Sequence, residues 1–231
     1  MLVISGNFEN QEEINTGSRC WLLAEALADS HDVILALPFI SQLSHENFAV
    51  VYYVGRNIPL VARDSDCVVC DAEALVRNPL LLDAGKPLAV DLDGFGVTIN
   101  DETLDVLTTA DFFFCAGEDD RYFWLAALKE CGRINEYTLA GDSGLRQLLD
   151  VVLIPGQVQP LVDFCAIPRY APDRGTGLSR ADMPRVQKHA TGIKYYWHRT
   201  RYLLRTEGFF TVCVRGLAVI KRKSWAKNKN R

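Results

Sequence analysis

No apolar run in the sequence reaches the roughly 20 residues that a membrane-spanning helix needs. The longest candidate, Gly208 to Ile220, is broken by Arg215. The chain opens Met1-Leu2-Val3-Ile4, without the basic start and small-residue cleavage site of a secretory signal. These absences predict a cytoplasmic chain. No Gly-x-Gly-x-x-Gly follows the first apolar run, and neither a Walker A sequence nor a zinc-spaced Cys/His cluster occurs. A conventional dinucleotide fingerprint is therefore excluded, and no metal or cofactor is expected. Histidine is scarce as well: His31, His45, His189 and His198 form no recognisable triad pattern.

The 7 cysteines are odd in number and scattered among apolar neighbours, which suits buried thiols in a reducing compartment rather than a disulfide framework. One pair has motif spacing, Cys67 and Cys70, within the strand-like Cys67-Val68-Val69-Cys70. Residues three apart on a strand point to opposite faces, so the pair does not close on one metal and reads as core.

What is present is enough apolar material for a core. Hydrophobic residues make up 48% and charged residues 23% of 231, the balance of an ordinary folded protein. The length suits one domain of about 150 residues with an appendage. The net charge of −4 hides a division: residues 1–173 hold 10 Lys/Arg against 27 Asp/Glu, a balance of −17, while residues 174–231 hold 15 against 2, a balance of +13. Such asymmetry marks a tail that meets an anionic surface.

Short apolar runs recur at Leu2–Ser5, Val33–Leu37, Ala49–Val54, Cys67–Cys70, Leu88–Asp91, Phe112–Cys115 and Val151–Ile154. Between them, Ser18–Ala28 and Arg121–Cys131 carry apolar residues at helical spacing. Alternating strands and helices predict an α/β fold with a doubly wound, mostly parallel Rossmann-like sheet over residues 1–156. Residues 157–177 read as a return segment and linker, and residues 178–231 as a basic, amphipathic helical tail.

In such a sheet ligands gather beyond the carboxyl ends of the strands. The long loop after the first strand ends in Gly17-Ser18-Arg19, where a glycine and a capping hydroxyl open a helix N-terminus able to meet an anion. A capped helix with a glycine turn explains the same residues more simply. After the fifth strand, Asp91 and Asp93 stand two residues apart, able to share a face as acid, base or hydroxyl acceptor, or simply to form an Asp-rich turn. After the sixth come Glu118, Asp119 and Asp120, which the dipole of a following helix favours without any ligand. Gly17, Ser18, Arg19, Asp91, Asp93 and Glu118 are the candidate ligand-binding residues, and no catalytic residue is assigned.

The stretch from Ala110-Asp111-Phe112-Phe113-Phe114-Cys115-Ala116-Gly117-Glu118 through Arg121–Leu125 to Gly132-Arg133-Ile134-Asn135 resembles the N-terminal, acceptor-side domain of bacterial family 4 glycosyltransferases of the GT-B fold. Gly17–Arg19 before Leu22–Ala28, Ala89–Leu92, and Leu148–Val152 leading to Pro155-Gly156 follow in the same order, so the resemblance covers residues 1–156. It implies one of two Rossmann-like domains facing across a cleft, with the nucleotide-sugar donor held by the other. After Gly156 the sequence passes to Pro160–Cys165 and Pro168–Asp173, similar to the final segment that returns onto the N-terminal domain in some members, as if a donor domain had been excised. Relatives often carry a Ser-Glu-Arg-type run where this chain has Gly117-Glu118-Asp119-Asp120.

The resemblance implies a glycosyltransferase-like subunit of cell-surface polysaccharide or glycan synthesis, inactive alone and partnered by a glycosyltransferase or other glycan-synthesis protein. The alternative is a non-catalytic, membrane-associated adaptor in such a complex. A third reading is a small-ligand or nucleotide-binding enzyme of another doubly wound family. In the tail, Lys194, Tyr195, Trp197, Arg199, Arg201, Arg205, Lys221, Arg222 and Lys223 interleave aromatic and basic side chains. That composition suits an anionic membrane at the inner face of the plasma membrane, or an acidic protein partner. Nucleic acid fits less well, because the neighbouring acidic region repels its backbone.

Overall fold

The computed structural model describes residues 1–6, 18–53, 57–95, 101–154 and 156–173. Gly17 and the whole basic tail, with Lys194, Tyr195, Trp197, Arg199, Arg201, Arg205, Lys221, Arg222 and Lys223, lie outside them. The described residues all belong to one compact unit, Met1–Ala181.

Seven strands form one sheet, and every neighbouring pair is parallel. They are β1 (Leu2–Ile4), β2 (Val33–Leu37), β3 (Phe48–Tyr52), β4 (Val68–Asp71), β5 (Leu88–Asp91), β6 (Phe112–Cys115) and β7 (Leu149–Val151). The spatial order is β3-β2-β1-β4-β5-β6-β7. This is a Rossmann-like domain: the chain winds outward from β1 to β3, returns to place β4 beside β1, and winds outward again. The winding direction reverses between β1 and β4, so the loops leaving these two strands diverge and leave a crevice.

Parallel strands covered on both faces need apolar side chains on both, and these strands supply them by strict alternation. Leu2, Ile4, Val68, Cys70, Leu88, Val90, Phe113 and Cys115 enter one core cluster. Val3, Cys67, Val69, Ala89, Phe112 and Phe114 enter the other. Cys67 and Cys70 thus fall on opposite sides of the sheet. The helices are α1 (Arg19–Ala28), α2 (Ile58–Arg63), α3 (Ala72–Arg77), α4 (Asp101–Thr109), α5 (Glu118–Glu130), α6 (Glu136–Gly141) and α7 (Gln159–Ala166), with a 3-10 segment at Pro79–Ala84. Residues of α2 to α5 fill the first cluster. Trp21, Leu23, Ala24 and Leu27 of α1 and Leu161, Phe164 and Cys165 of α7 fill the second.

Four strands differ from the expected bounds: β1 ends one residue early, at Ile4, β4 lies one residue further on, at Val68–Asp71, and β3 and β7 differ more. The run expected at Ala49–Val54 begins one residue earlier and ends at Tyr52, with Phe48 paired to Val33. The last strand is Leu149–Val151 rather than Val151–Ile154. Its register is set by β6, which pairs Phe113, Phe114 and Cys115 with Leu149, Asp150 and Val151. Beyond Val151 there is no further β6 residue to pair with, and Val152 donates to the Cys115 carbonyl at 2.9 Å before the chain turns away.

The segment after β7 is fixed to the sheet. Phe164 stacks on Phe112 with centroids 5.2 Å apart, and a hydrogen bond from Cys165 holds the Cys67 thiol below its usual pKa. Further on, the Tyr170 hydroxyl donates to the Gly85 carbonyl at 2.6 Å, and the Ala171 N–H donates to Asp111 at 2.9 Å. Asp173 closes a buried bidentate pair with Arg133, at 2.5 and 3.2 Å. The same guanidinium donates to the carbonyls of Leu107 and Ala110 and lies over the Phe113 ring. Among the described residues no helix is long and apolar enough to cross a membrane.

Candidate functional site

The crevice between β1 and β4 holds a cavity of about 780 Å³ at the carboxyl ends of β1, β4 and β5. That volume is within the range of small-ligand sites. Its wall is built where three strands hand over to loops or helices: Ser5 after β1, Asp71 at the end of β4, Asp91 at the end of β5. Register places Asp71 and Asp91 side by side on neighbouring strands. Ser18, Arg19 and Cys20 enter from the start of α1.

Gly6 is the reason the wall closes at β1. Its N–H donates to Asp71 Oδ2 at 2.8 Å, while Asp71 Oδ1 accepts the Ala74 N–H at 2.6 Å and caps α3. A Cβ at Gly6 would stand 2.2 Å from the Ala74 nitrogen and 2.5 Å from its Cα. Only glycine lets β1 run this close to the first turn of α3. Burial raises the Asp71 pKa, and the two N–H groups offset it in part.

Arg19 is the central cation. Its Nε and Nη2 meet Asp91 at 2.5 and 3.2 Å, a planar fork on a carboxylate. Nη2 also reaches the Val152 carbonyl at 3.4 Å, and Asp93 stands 3.4 Å from Nε. One side chain therefore ties α1 to the ends of β5 and β7. Burial lowers the guanidinium pKa, but the bonds to Asp91 and the charge of Asp93 outweigh it and leave it raised. Asp91 is buried, and burial pushes its carboxyl up to about 6 although Arg19 and the Asp93 N–H stabilise the ionised form.

Asp93 and Phe95 sit on a tight turn in which the Phe95 N–H donates to the Leu92 carbonyl at 3.2 Å and Gly94 takes φ +70°. A left-handed third residue is what such a turn asks of glycine. Phe95 lines the cavity and packs against Trp124, with ring centroids 6.2 Å apart. Opposite, Glu73 and Arg77 pair across one turn of α3. The Cys20 thiol is raised by burial, so it is a poor nucleophile.

Of the expected site residues, Ser18, Arg19, Asp91 and Asp93 come together here. Glu118 does not line this cavity. It begins α5, where it pairs with Arg146 at 2.6 Å and stands 3.9 Å from Arg121. Asp71, Glu73, Arg77 and Phe95 were not singled out from the sequence. Asp71 was within reach, since it ends a buried apolar run and precedes Ala-Glu, the position of a helix cap at a strand end. Among the described residues no group of three or more His, Cys, Asp or Glu is placed to hold a metal ion. No model of a known protein family, no curated protein and no solved structure matches this chain.

Proposed function

We propose that this domain is the acceptor-side half of a GT-B-type glycosyltransferase assembly in glycan synthesis, holding a small hydroxyl-rich acceptor in the switch-point cavity. The observation that carries the reading is the cavity itself, with Arg19, Asp91 and Asp93 at its centre and an aromatic ring, Phe95, on its wall. Carboxylates and a guanidinium beside an aromatic face suit sugars, whose hydroxyls donate and accept and whose C–H faces pack on rings. Donor binding and stabilisation of the departing nucleotide diphosphate come from a partner polypeptide, because such stabilisation needs charged groups aimed at the leaving group. The basic tail brings the protein to an anionic membrane surface or a membrane-bound partner.

One observation favours the adaptor reading as the alternative. Both oxygens of Asp91 are already engaged, by Arg19 and by the Asp93 N–H, so Asp91 is spoken for structurally and does not offer a free general base. The two readings separate on the native complex purified through this chain and assayed with nucleotide sugars. The proposal expects transfer by the complex, none by this chain alone, and a raised acceptor KM in the complex carrying Asp93→Ala. Transfer by the homogeneous chain refutes the need for a partner, and a complex whose acceptor KM ignores Asp93→Ala supports an adaptor.

A further inference from the structure

The charges on the cavity wall narrow the class of acceptor, on the reading that this cavity is the acceptor site. Four carboxylates, Asp71, Glu73, Asp91 and Asp93, stand against two guanidiniums, Arg19 and Arg77. Both guanidiniums already face carboxylates of the same wall, Arg19 with Asp91 and Arg77 with Glu73. Asp71 has both oxygens on backbone N–H groups. Asp93 shares the Arg19 guanidinium with Asp91, at 3.4 Å against 2.5 Å, and is the more weakly held of the two.

Its side chain is 39% exposed and accepts no hydrogen bond among the described residues. The nearest cation, Arg19 Nε, is 3.4 Å away but sits 2.5 Å from Asp91 Oδ2, so its hydrogen is committed there. The turn that carries Asp93 also carries Phe95, and both line the cavity. A carboxylate with free lone pairs and an aromatic face on one turn are the two groups that receive an ammonium. A phosphate ester meets the opposite situation.

We infer that the cavity selects an acceptor bearing a protonated amine beside its hydroxyls, an amino sugar or amino polyol, with Asp93 as the counter-ion, and rejects phosphate esters. The selectivity lies in Asp93 rather than in Asp91, whose charge Arg19 already answers.

Calorimetric titration of the full chain at about neutral pH and low salt tests this with three probes: glucosamine, glucose and glucose 6-phosphate. Glucosamine is expected to bind about tenfold more tightly than glucose, the effect of one charge-assisted hydrogen bond, and glucose 6-phosphate more weakly than glucose. Asp93→Asn brings glucosamine to the level of glucose, and Asp93→Glu keeps the preference. Circular dichroism and the urea midpoint confirm that both variants fold. Equal binding of glucosamine and glucose, a preference that survives Asp93→Asn, or tighter binding of glucose 6-phosphate overturns the inference while leaving a sugar site in place. If none of the three binds, the inference and the acceptor-site reading fall together.

Discussion

Replacing Gly6 by alanine tests the geometry on which the cavity depends. The added Cβ meets backbone, at 2.2 Å from the Ala74 nitrogen and 2.5 Å from its Cα, and lies 2.7 Å from Asp71 Oδ1. The two nearest atoms are backbone and cannot swing aside as a side-chain end can, so relief requires β1 and α3 to separate by roughly an ångström to regain van der Waals distance. That movement also stretches the 2.8 Å bond from the Gly6 N–H to Asp71. Overpacking of this kind costs roughly 1–3 kcal/mol, and a lost hydrogen bond to a carboxylate a comparable amount. The sum, roughly 3–5 kcal/mol, is a large part of a typical domain stability of about 5–15 kcal/mol. Urea denaturation followed by circular dichroism measures it. Two other glycines serve as controls. Gly85 has open space but φ +61°, so Gly85→Ala should cost about 1 kcal/mol of left-handed strain. Gly141 ends α6 with open space and no positive φ, so alanine there should be neutral or stabilising by up to about 1 kcal/mol. If Gly6→Ala unfolds within about 1 kcal/mol of the wild type, β1 does not approach α3 as described and the cavity wall must be redrawn.

Burial holds Asp91 at about 6, above the ordinary carboxylate value of 3.8. The folded state therefore binds this proton more tightly than the unfolded chain, and the Asp91 contribution to stability falls as pH rises from about 4 to about 6. Against Asp91→Asn, which stays neutral, the wild type should lose roughly 2 kcal/mol across that window. Paired urea titrations at its two ends decide it, and a difference that stays constant, or moves in the wild type's favour with rising pH, contradicts the burial argument. Arg133→Met removes the guanidinium that faces the buried Asp173 carboxylate and leaves the carbonyls of Leu107 and Ala110 without this donor, so a loss of roughly 3–5 kcal/mol is expected. A thermal midpoint equal to that of wild type would show that the pair does not hold the segment after β7 to the sheet. For the tail, flotation at low salt should carry the full chain, but not a chain ending at residue 177, with anionic vesicles and not with neutral ones. Failure of the full chain to float assigns the tail to a protein partner instead.

The fold was largely legible because each strand is buried on both faces. Continuous apolar runs such as Leu2-Val3-Ile4 and Phe112-Phe113-Phe114-Cys115 have few other uses, and helical spacing between them indicated parallel crossovers. The position of β7 was not legible, because Leu148-Leu149-Asp150-Val151-Val152-Leu153-Ile154 is apolar throughout but for Asp150. A run that long contains several three-residue strands, and only hydrogen bonding to β6 chooses Leu149–Val151.

The candidate site was legible in parts. Arg19, Asp91 and Asp93 could be suspected singly, each at the end of a strand or the start of a helix. Their partnership could not, since Arg19 and Asp91 are 72 residues apart and either could have faced solvent. By itself, then, the sequence determined the element types, the two-faced core and the charge division between residues 1–173 and 174–231, since these follow from local pattern and composition. The tertiary structure alone decided the strand order. That order puts β4 beside β1, brings Asp71 level with Asp91, and leaves Asp93 sharing Arg19 more weakly than Asp91 does, because pairing between distant strands depends on contacts no local pattern encodes.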